Sequence, residues 1–200
     1  KLGINNDNHI IIYSMDGIGT SPRAWWLFRL YKHKNVSVLN GGMKAWKALN
    51  GPISNKTAKI YKSNYVASID HNILAKYEDI KNLYNNKDYQ IVDARSFRRF
   101  AGKEEEPRPG LQKGHIPHSI NIPFNLLIND HGYLIDKDEI IEILNKYNFS
   151  FEKIIISSCG SGVTACVLAF VLELIGKKNW KVYDGSWSEW GQKGNELIEL

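Results

Sequence analysis

The sequence predicts an α/β protein, a parallel sheet flanked by helices, in which one unit is duplicated and the first copy is partial. Three observations carry that prediction. Short β-branched runs alternate with helical stretches at the spacing of βαβ units. One such strand–helix–strand segment recurs farther along the chain. A balance of 43% hydrophobic and 24% charged residues suits a globular fold and excludes a disordered chain, a collagen or a coiled coil. At about 150 residues per domain, the 200 residues leave room for one or two domains.

The recurrence is found by sliding the chain along itself by 144 residues, which lays Ile10–Trp46 on Ile154–Trp190 without a gap. Eleven of the 37 positions are then identical, among them Ile10-Ile11-Ile12 with Ile154-Ile155-Ile156, Thr20 with Thr164, Gly41 with Gly185 and Trp46 with Trp190. Each copy opens with a buried strand, Ile10–Tyr13 or Ile154–Ser157, followed by a glycine-bearing loop. Helices are predicted over Ser21–Lys32 and Val163–Ile175, and second strands over Val36–Leu39 and Lys181–Tyr183, each ahead of a short Trp-containing helix. The helix from Val163 is apolar on nearly every face, the pattern of a helix buried against a sheet. Trp25 and Trp26 are expected in the core.

Between the copies, Ile53–Ile69 reads as an extended linker without helical periodicity. A helix over Lys76–Asn86 leads to a strand, Tyr89–Val92, that ends in Asp93-Ala94-Arg95. Phe100–Gly114 is a charged loop rich in Pro and Gly, Ser119–Ile122 a short strand, and Asp138–Tyr147 a helix with acidic residues in its first turn. The organisation expected is a partial, non-catalytic copy over residues 1–55, a linker over 56–72 and a complete domain over 73–200. The chain opens on Lys1 rather than Met, so a processed or partial chain is expected, with the front half of the first copy missing or the half-domain packed on the complete one.

The formal charge of +5 comes from lysines scattered along the whole length, without the basic and aromatic clusters of a nucleic-acid surface. It favours small anions instead. The apolar stretch Val163–Leu172 falls short of the about 20 residues needed to span a bilayer, and no secretory signal opens the chain. Two cysteines, Cys159 and Cys166, make no disulfide framework and point to a reducing compartment.

Cys159 carries the chemistry. It follows a strand and precedes the buried helix, in Cys159-Gly160-Ser161-Gly162-Val163-Thr164. Two glycines let the backbone curl so that successive N–H groups converge as an anion nest, and the helix N-terminus adds partial positive charge. Both effects favour a thiolate, and the same nest would hold a persulfide.

This loop, with Asp184-Gly185-Ser186-Trp187-Ser188-Glu189-Trp190 after it, resembles the catalytic half of the two-domain sulfurtransferases, the rhodanese and 3-mercaptopyruvate sulfurtransferase family. Asp93-Ala94-Arg95, Arg99-Phe100, Glu106-Pro107-Arg108 and Gly114-His115-Ile116-Pro117 extend the resemblance, and Ser21-Pro22-Arg23-Ala24-Trp25-Trp26 carries it into the first copy. The resemblance implies rhodanese-like domains and sulfur transfer from 3-mercaptopyruvate or thiosulfate through a persulfide on Cys159. It implies that Ser161 relays a proton, that Arg99 and Arg108 clamp the substrate, and that Gly160, Gly162, Val163 and Thr164 line its site. A loop free of basic residues resembles the mercaptopyruvate enzymes rather than the thiosulfate-preferring ones. No cofactor and no metal are implied; the partners are a small sulfur donor and a thiol or thioredoxin-like acceptor, in the cytoplasm or the mitochondrion. Met15 stands in the place of Cys159 in the first copy, which is therefore expected to be a scaffold. The family's proton relay also uses an Asp and a His from the front half of the N-terminal domain, and nothing before Lys1 supplies them here.

The alternative reading is a non-catalytic sulfur carrier or protein-binding module. A cysteine phosphatase needs an Arg six residues after its nucleophile, where this chain has Ala165. His115 and His118 flank Ile116-Pro117 and read as part of a structural turn rather than a metal site. Arg95 is read as structural and Cys166 as facing the core. Asp184 is expected to organise the turn after its strand by accepting backbone N–H bonds.

Overall fold

The computed structural model describes residues 2–195 and 197–200. Two parallel sheets are present among them. The first copy forms β1 (Ile10–Ile12), α1 (Ser21–Leu30), β2 (Val36–Val38) and α2 (Gly42–Ala48). Among the described residues its two strands pair only with each other. The remainder is β3 (Leu74–Ala75), α3 (Tyr77–Leu83), β4 (Tyr89–Asp93), α4 (Phe97–Phe100), β5 (Ile120–Asn121), α5 (Lys137–Lys146), β6 (Ile154–Ser158), α6 (Ala165–Leu174), β7 (Trp180–Tyr183) and α7 (Ser186–Trp190). Its five strands lie in the order β3-β7-β6-β4-β5, every neighbouring pair parallel. The repeat is visible in three dimensions: α1 and α6 begin and end at positions separated by the same offset as the sequence match. Residues 51–70 contain no helix or strand.

Central position explains the composition of β6 and α6. β6 has a strand on each side and a helix layer on each face, and Ile155 and Ile156 are fully buried. Along α6, every residue from Ala165 to Leu172 is buried, as expected for a helix apolar all round. One core cluster lies between the sheet and α1, α5 and α6; a second, built on Ile80, Ile91, Ile156, Tyr183, Trp187 and Trp190, fills the other face.

The first copy packs on the second chiefly through α1 against α6. Trp25 stacks edge-on against Phe170 at 4.9 Å, and Trp26 is wholly buried, its indole N–H donating to the Ile73 carbonyl at 3.2 Å. Arg29 pairs with Glu173 at 3.1 Å. A second seam runs along the loops, where Ile18 N–H donates to the Gly132 carbonyl at 3.0 Å. There a Cβ on Gly17 would come within 2.8 Å of the Gly132 backbone, so the approach itself requires glycine.

Candidate active site

Parallel strands gather their C-terminal ends on one edge, where ligands of open α/β sheets bind. β6 ends at Ser158 and hands the chain to Cys159, which is 2% exposed. The loop that follows bends back so that Ser161 N–H donates to Cys159 Sγ at 3.4 Å. The N–H groups of Gly160, Val163 and Thr164 have no acceptor among the described residues. They are among the donors left for a bound anion. Gly162 differs from the expectation for it: its N–H is committed to Ser186 Oγ at 3.0 Å, so it serves the loop by conformation, with φ +73°, rather than as a donor to a ligand.

Ser186 is the residue that sequence reasoning passed over. Its hydroxyl accepts from Cys159 N–H at 3.1 Å and from Gly162 N–H, and donates to the Tyr183 carbonyl at 2.8 Å. It is fully buried at φ 49°, a left-handed conformation unusual for serine. The repeat held a signal: Gly42, the equivalent position in the first copy, has φ 59°. α7 adds further ties. Trp187 N–H donates to the Cys159 carbonyl at 2.9 Å, and Ser188 donates to the Gly160 carbonyl through its N–H at 2.9 Å and its hydroxyl at 2.5 Å.

Arg99 lies beside this loop. A Cβ on Gly160 would sit 2.8 Å from Arg99 Nη2, so the glycine is what lets the guanidinium approach. Arg99 is anchored by Glu106 at 2.5 Å through Nη2 and 3.2 Å through Nε, which leaves Nη1 without a partner among the described residues. Glu106, whose side chain is 2% exposed, is shared with Arg95 at 2.8 Å. Arg95 is wholly buried, forks onto Asp93 at 2.7 and 2.9 Å, donates to the Gly114 carbonyl and stacks over Trp187. Its place is structural. Four charges thus alternate from Asp93 to Arg99, and they balance only with the half-buried Arg99 counted.

Arg108 is exposed and makes no hydrogen bond or ion pair among the described residues. The acidic run beside it is used otherwise: Glu104 faces Arg98, Glu105 binds Lys113, and Glu106 takes Arg95 and Arg99. Ser161 is half-buried and its hydroxyl has no partner among the described residues, so it does not cap the loop.

Asp184 corrects the expectation that it organises its own turn. Its carboxylate binds Arg23 of the first copy at 2.5 Å and accepts no backbone N–H among the described residues, the turn being tied by Ser186 instead. Cys166 is buried and donates to the Gly162 carbonyl at 3.1 Å; burial pushes its thiol up to about 12, so it stays protonated. His115 is buried, hydrogen-bonded to the Phe100 carbonyl and stacked on its ring, and His118 sits at φ 61° in the turn.

A buried cysteine in an N–H-lined loop, set where a parallel sheet meets its central helix, defines an α/β protein with a candidate nucleophilic thiol. The family profile described as the rhodanese-like domain matches residues 1–49 and 76–193. The chain belongs to the rhodanese-like domain family. It is 38% identical over 192 residues to a human 3-mercaptopyruvate sulfurtransferase, covering 95% of this chain and 65% of the relative. With a thiosulfate sulfurtransferase of Gallus gallus it shares 38% identity, covering 95% and 66%. With the 3-mercaptopyruvate sulfurtransferase of Escherichia coli K12 it shares 36% identity, covering 100% and 70%. The crystal structure of SseA from Escherichia coli, a 3-mercaptopyruvate sulfurtransferase of rhodanese fold, superposes with a TM-score of 0.82 at 34% identity, covering 94% of this chain and 70% of that one. The chain therefore spans about two thirds of the length of these relatives.

Proposed function

We propose that this protein transfers a sulfur atom from 3-mercaptopyruvate, in preference to thiosulfate, to a thiol acceptor by way of a persulfide on Cys159. The observation that carries the reading is the cysteine loop: a nucleophile at the end of β6, with three N–H donors unspent among the described residues and no cation in the loop itself.

The reaction runs in two halves. The Cys159 thiolate attacks the thiol sulfur of mercaptopyruvate; an S–S bond forms, the C–S bond breaks, and the carbon departs as the enolate of pyruvate, which takes up a proton. The N–H groups of Gly160, Val163 and Thr164, without acceptors among the described residues, stabilise the charge on the transferred sulfur in this reading. Ser161, whose hydroxyl has no partner among the described residues, delivers the proton. An acceptor thiolate, on a small molecule or a thioredoxin-like protein, then attacks the outer sulfur and restores Cys159.

Charge favours mercaptopyruvate. Thiosulfate expels sulfite, a dianion that gains most from nearby cations, and the two arginines flanking the loop are each paired, Arg99 with Glu106 and Arg23 with Asp184. The planar guanidinium of Arg99, with Nη1 open, suits a single carboxylate instead, and the exposed Arg108 is available as a second clamp. Residues 1–55 act as scaffold, 56–72 as linker and 73–200 as the catalytic domain. Free thiols at both cysteines suit a reducing compartment, the cytoplasm or the mitochondrion.

The test is pyruvate release from 3-mercaptopyruvate with a thiol acceptor, beside thiocyanate formation from thiosulfate and cyanide, for wild type and Cys159→Ser. Turnover of mercaptopyruvate that disappears in the variant supports the reading. A persulfide that forms on Cys159 without turnover of either donor means a sulfur carrier.

A further inference from the structure

Arg23 belongs to the copy that has no nucleophile, yet its side chain ends at the other copy's cysteine loop. Its Nη1 lies 2.5 Å from Asp184 Oδ1 and 3.4 Å from the Gly162 carbonyl oxygen, and its guanidinium rests 4.9 Å from the Trp26 ring. The same carbonyl accepts from Cys166 Sγ at 3.1 Å. With its N–H held by Ser186, Gly162 is gripped at both ends, by β7–α7, by α6 and by the first copy. A Cβ there would meet the Asp184 carbonyl oxygen at 2.6 Å and Arg23 Nη1 at 3.0 Å. The fit leaves no slack.

A peptide unit is planar and trans, so the carbonyl of one residue and the N–H of the next point in opposite directions. Drawing the Gly162 oxygen toward Arg23 and Cys166 turns the Val163 N–H the other way, and that N–H has no acceptor among the described residues. We propose that Arg23 is a positioning residue for the Cys159 loop: it orients the Gly162–Val163 peptide so that the Val163 N–H is kept for the sulfur anion. Asp184 holds Arg23 in place, and Cys166 supplies the second donor to the Gly162 oxygen. The first copy then serves the reaction through one side chain as well as through packing. The inference rests on the reading of Cys159 as a nucleophile that carries charge.

The experiment compares Arg23→Met, Arg23→Lys and Asp184→Asn with wild type in three readouts: pyruvate release, the rate of Cys159 alkylation by iodoacetamide per titrated thiol, and the thermal midpoint. Arg23→Met is expected to lower kcat about 10-fold with KM changed less than about twofold, and to slow alkylation several-fold, because the donor is misdirected rather than the substrate site lost. Arg23→Lys restores most of both rates, since an ammonium still reaches the carbonyl, and Asp184→Asn falls between. The midpoint moves little in all three, the ion pair being partly exposed. Wild-type kcat and alkylation in Arg23→Met would overturn the proposal, as would a loss that Arg23→Lys does not recover. Should wild type release no pyruvate, the sulfur-transfer reading fails, while the alkylation rates still decide whether Arg23 sets the loop.

Discussion

Replacing Ser186 by alanine removes one oxygen and strands three buried backbone groups: the N–H groups of Cys159 and Gly162 and the carbonyl of Tyr183. Each unsatisfied buried group costs about 1–3 kcal/mol, and partial relaxation of the loop brings the sum to about 2–4 kcal/mol. In a chain of this size that lowers the unfolding midpoint by about 4–16 °C. The Gly162 peptide loses its amide anchor, so activity is expected to fall about 10–100-fold in kcat. Ser186→Gly separates the two effects. It loses the same hydrogen bonds but relieves the left-handed backbone at φ 49°, worth about 1–2 kcal/mol before the added chain entropy of glycine. Its midpoint should stand above that of the alanine variant while its kcat stays as low. Calorimetry and the pyruvate assay on the three proteins give the answer. An alanine variant that melts within about a degree of wild type and turns over normally would refute the account of the loop.

Two further variants probe the charges around the site. Cys166 is pushed from 9.0 to about 12 by burial, so above pH about 9 the unfolded chain releases a proton that the folded chain keeps. Its contribution is complete below that pH and is lost between about 9 and 12, at about 1.4 kcal/mol per pH unit. Urea unfolding at pH 8 and pH 10.5 should show a drop about 2 kcal/mol larger in wild type than in Cys166→Ala, and equal drops would dismiss the buried thiol as its source. Glu106→Gln leaves Arg95 and Arg99 with Asp93 alone as counter-ion. It is expected to cost about 3–5 kcal/mol in denaturant stability, as broken buried pairs do. The freed charge on Arg99 should also shift the ratio of thiosulfate to mercaptopyruvate turnover upward about 3–10-fold. An unchanged ratio would mean that Arg99 does not face the donor.

Much of this was legible along the chain. The strands other than β3, the βαβ order and the burial of α6 follow from local pattern, and the repeat placed the elements of both copies in step; the two-residue β3 and the single-turn α4 are too short to leave a periodicity. Cys159 stood out because its neighbours in sequence make the loop. What stayed hidden depends on residues that meet only after folding. Asp184 looked like a turn residue, but the side chain it bonds lies in the other copy, at Arg23. Glu106 stood out only as part of a charged loop and a motif, whereas two arginines from before that run draw its side chain out of water. Ser186 could have been found by comparing copies, since glycine at its equivalent marks the left-handed backbone. Its hydrogen bonds to a loop two dozen residues away could not.

The contact between α1 and α6 has a symmetry of its own. Arg29 and Glu173, which bond across it, are the same position of the two copies, and Trp25 meets Phe170, the counterpart of Trp26. Equivalent positions touch each other only near a two-fold axis, so the seam is an isologous interface closed within one chain. Were the copies identical, two arginines or two glutamates would confront each other there. Divergence to opposite signs turned that repulsion into attraction, and it commits each copy to its own side of the axis. Neither copy could take the other's place, or pair with its like from another chain, without bringing like charges together.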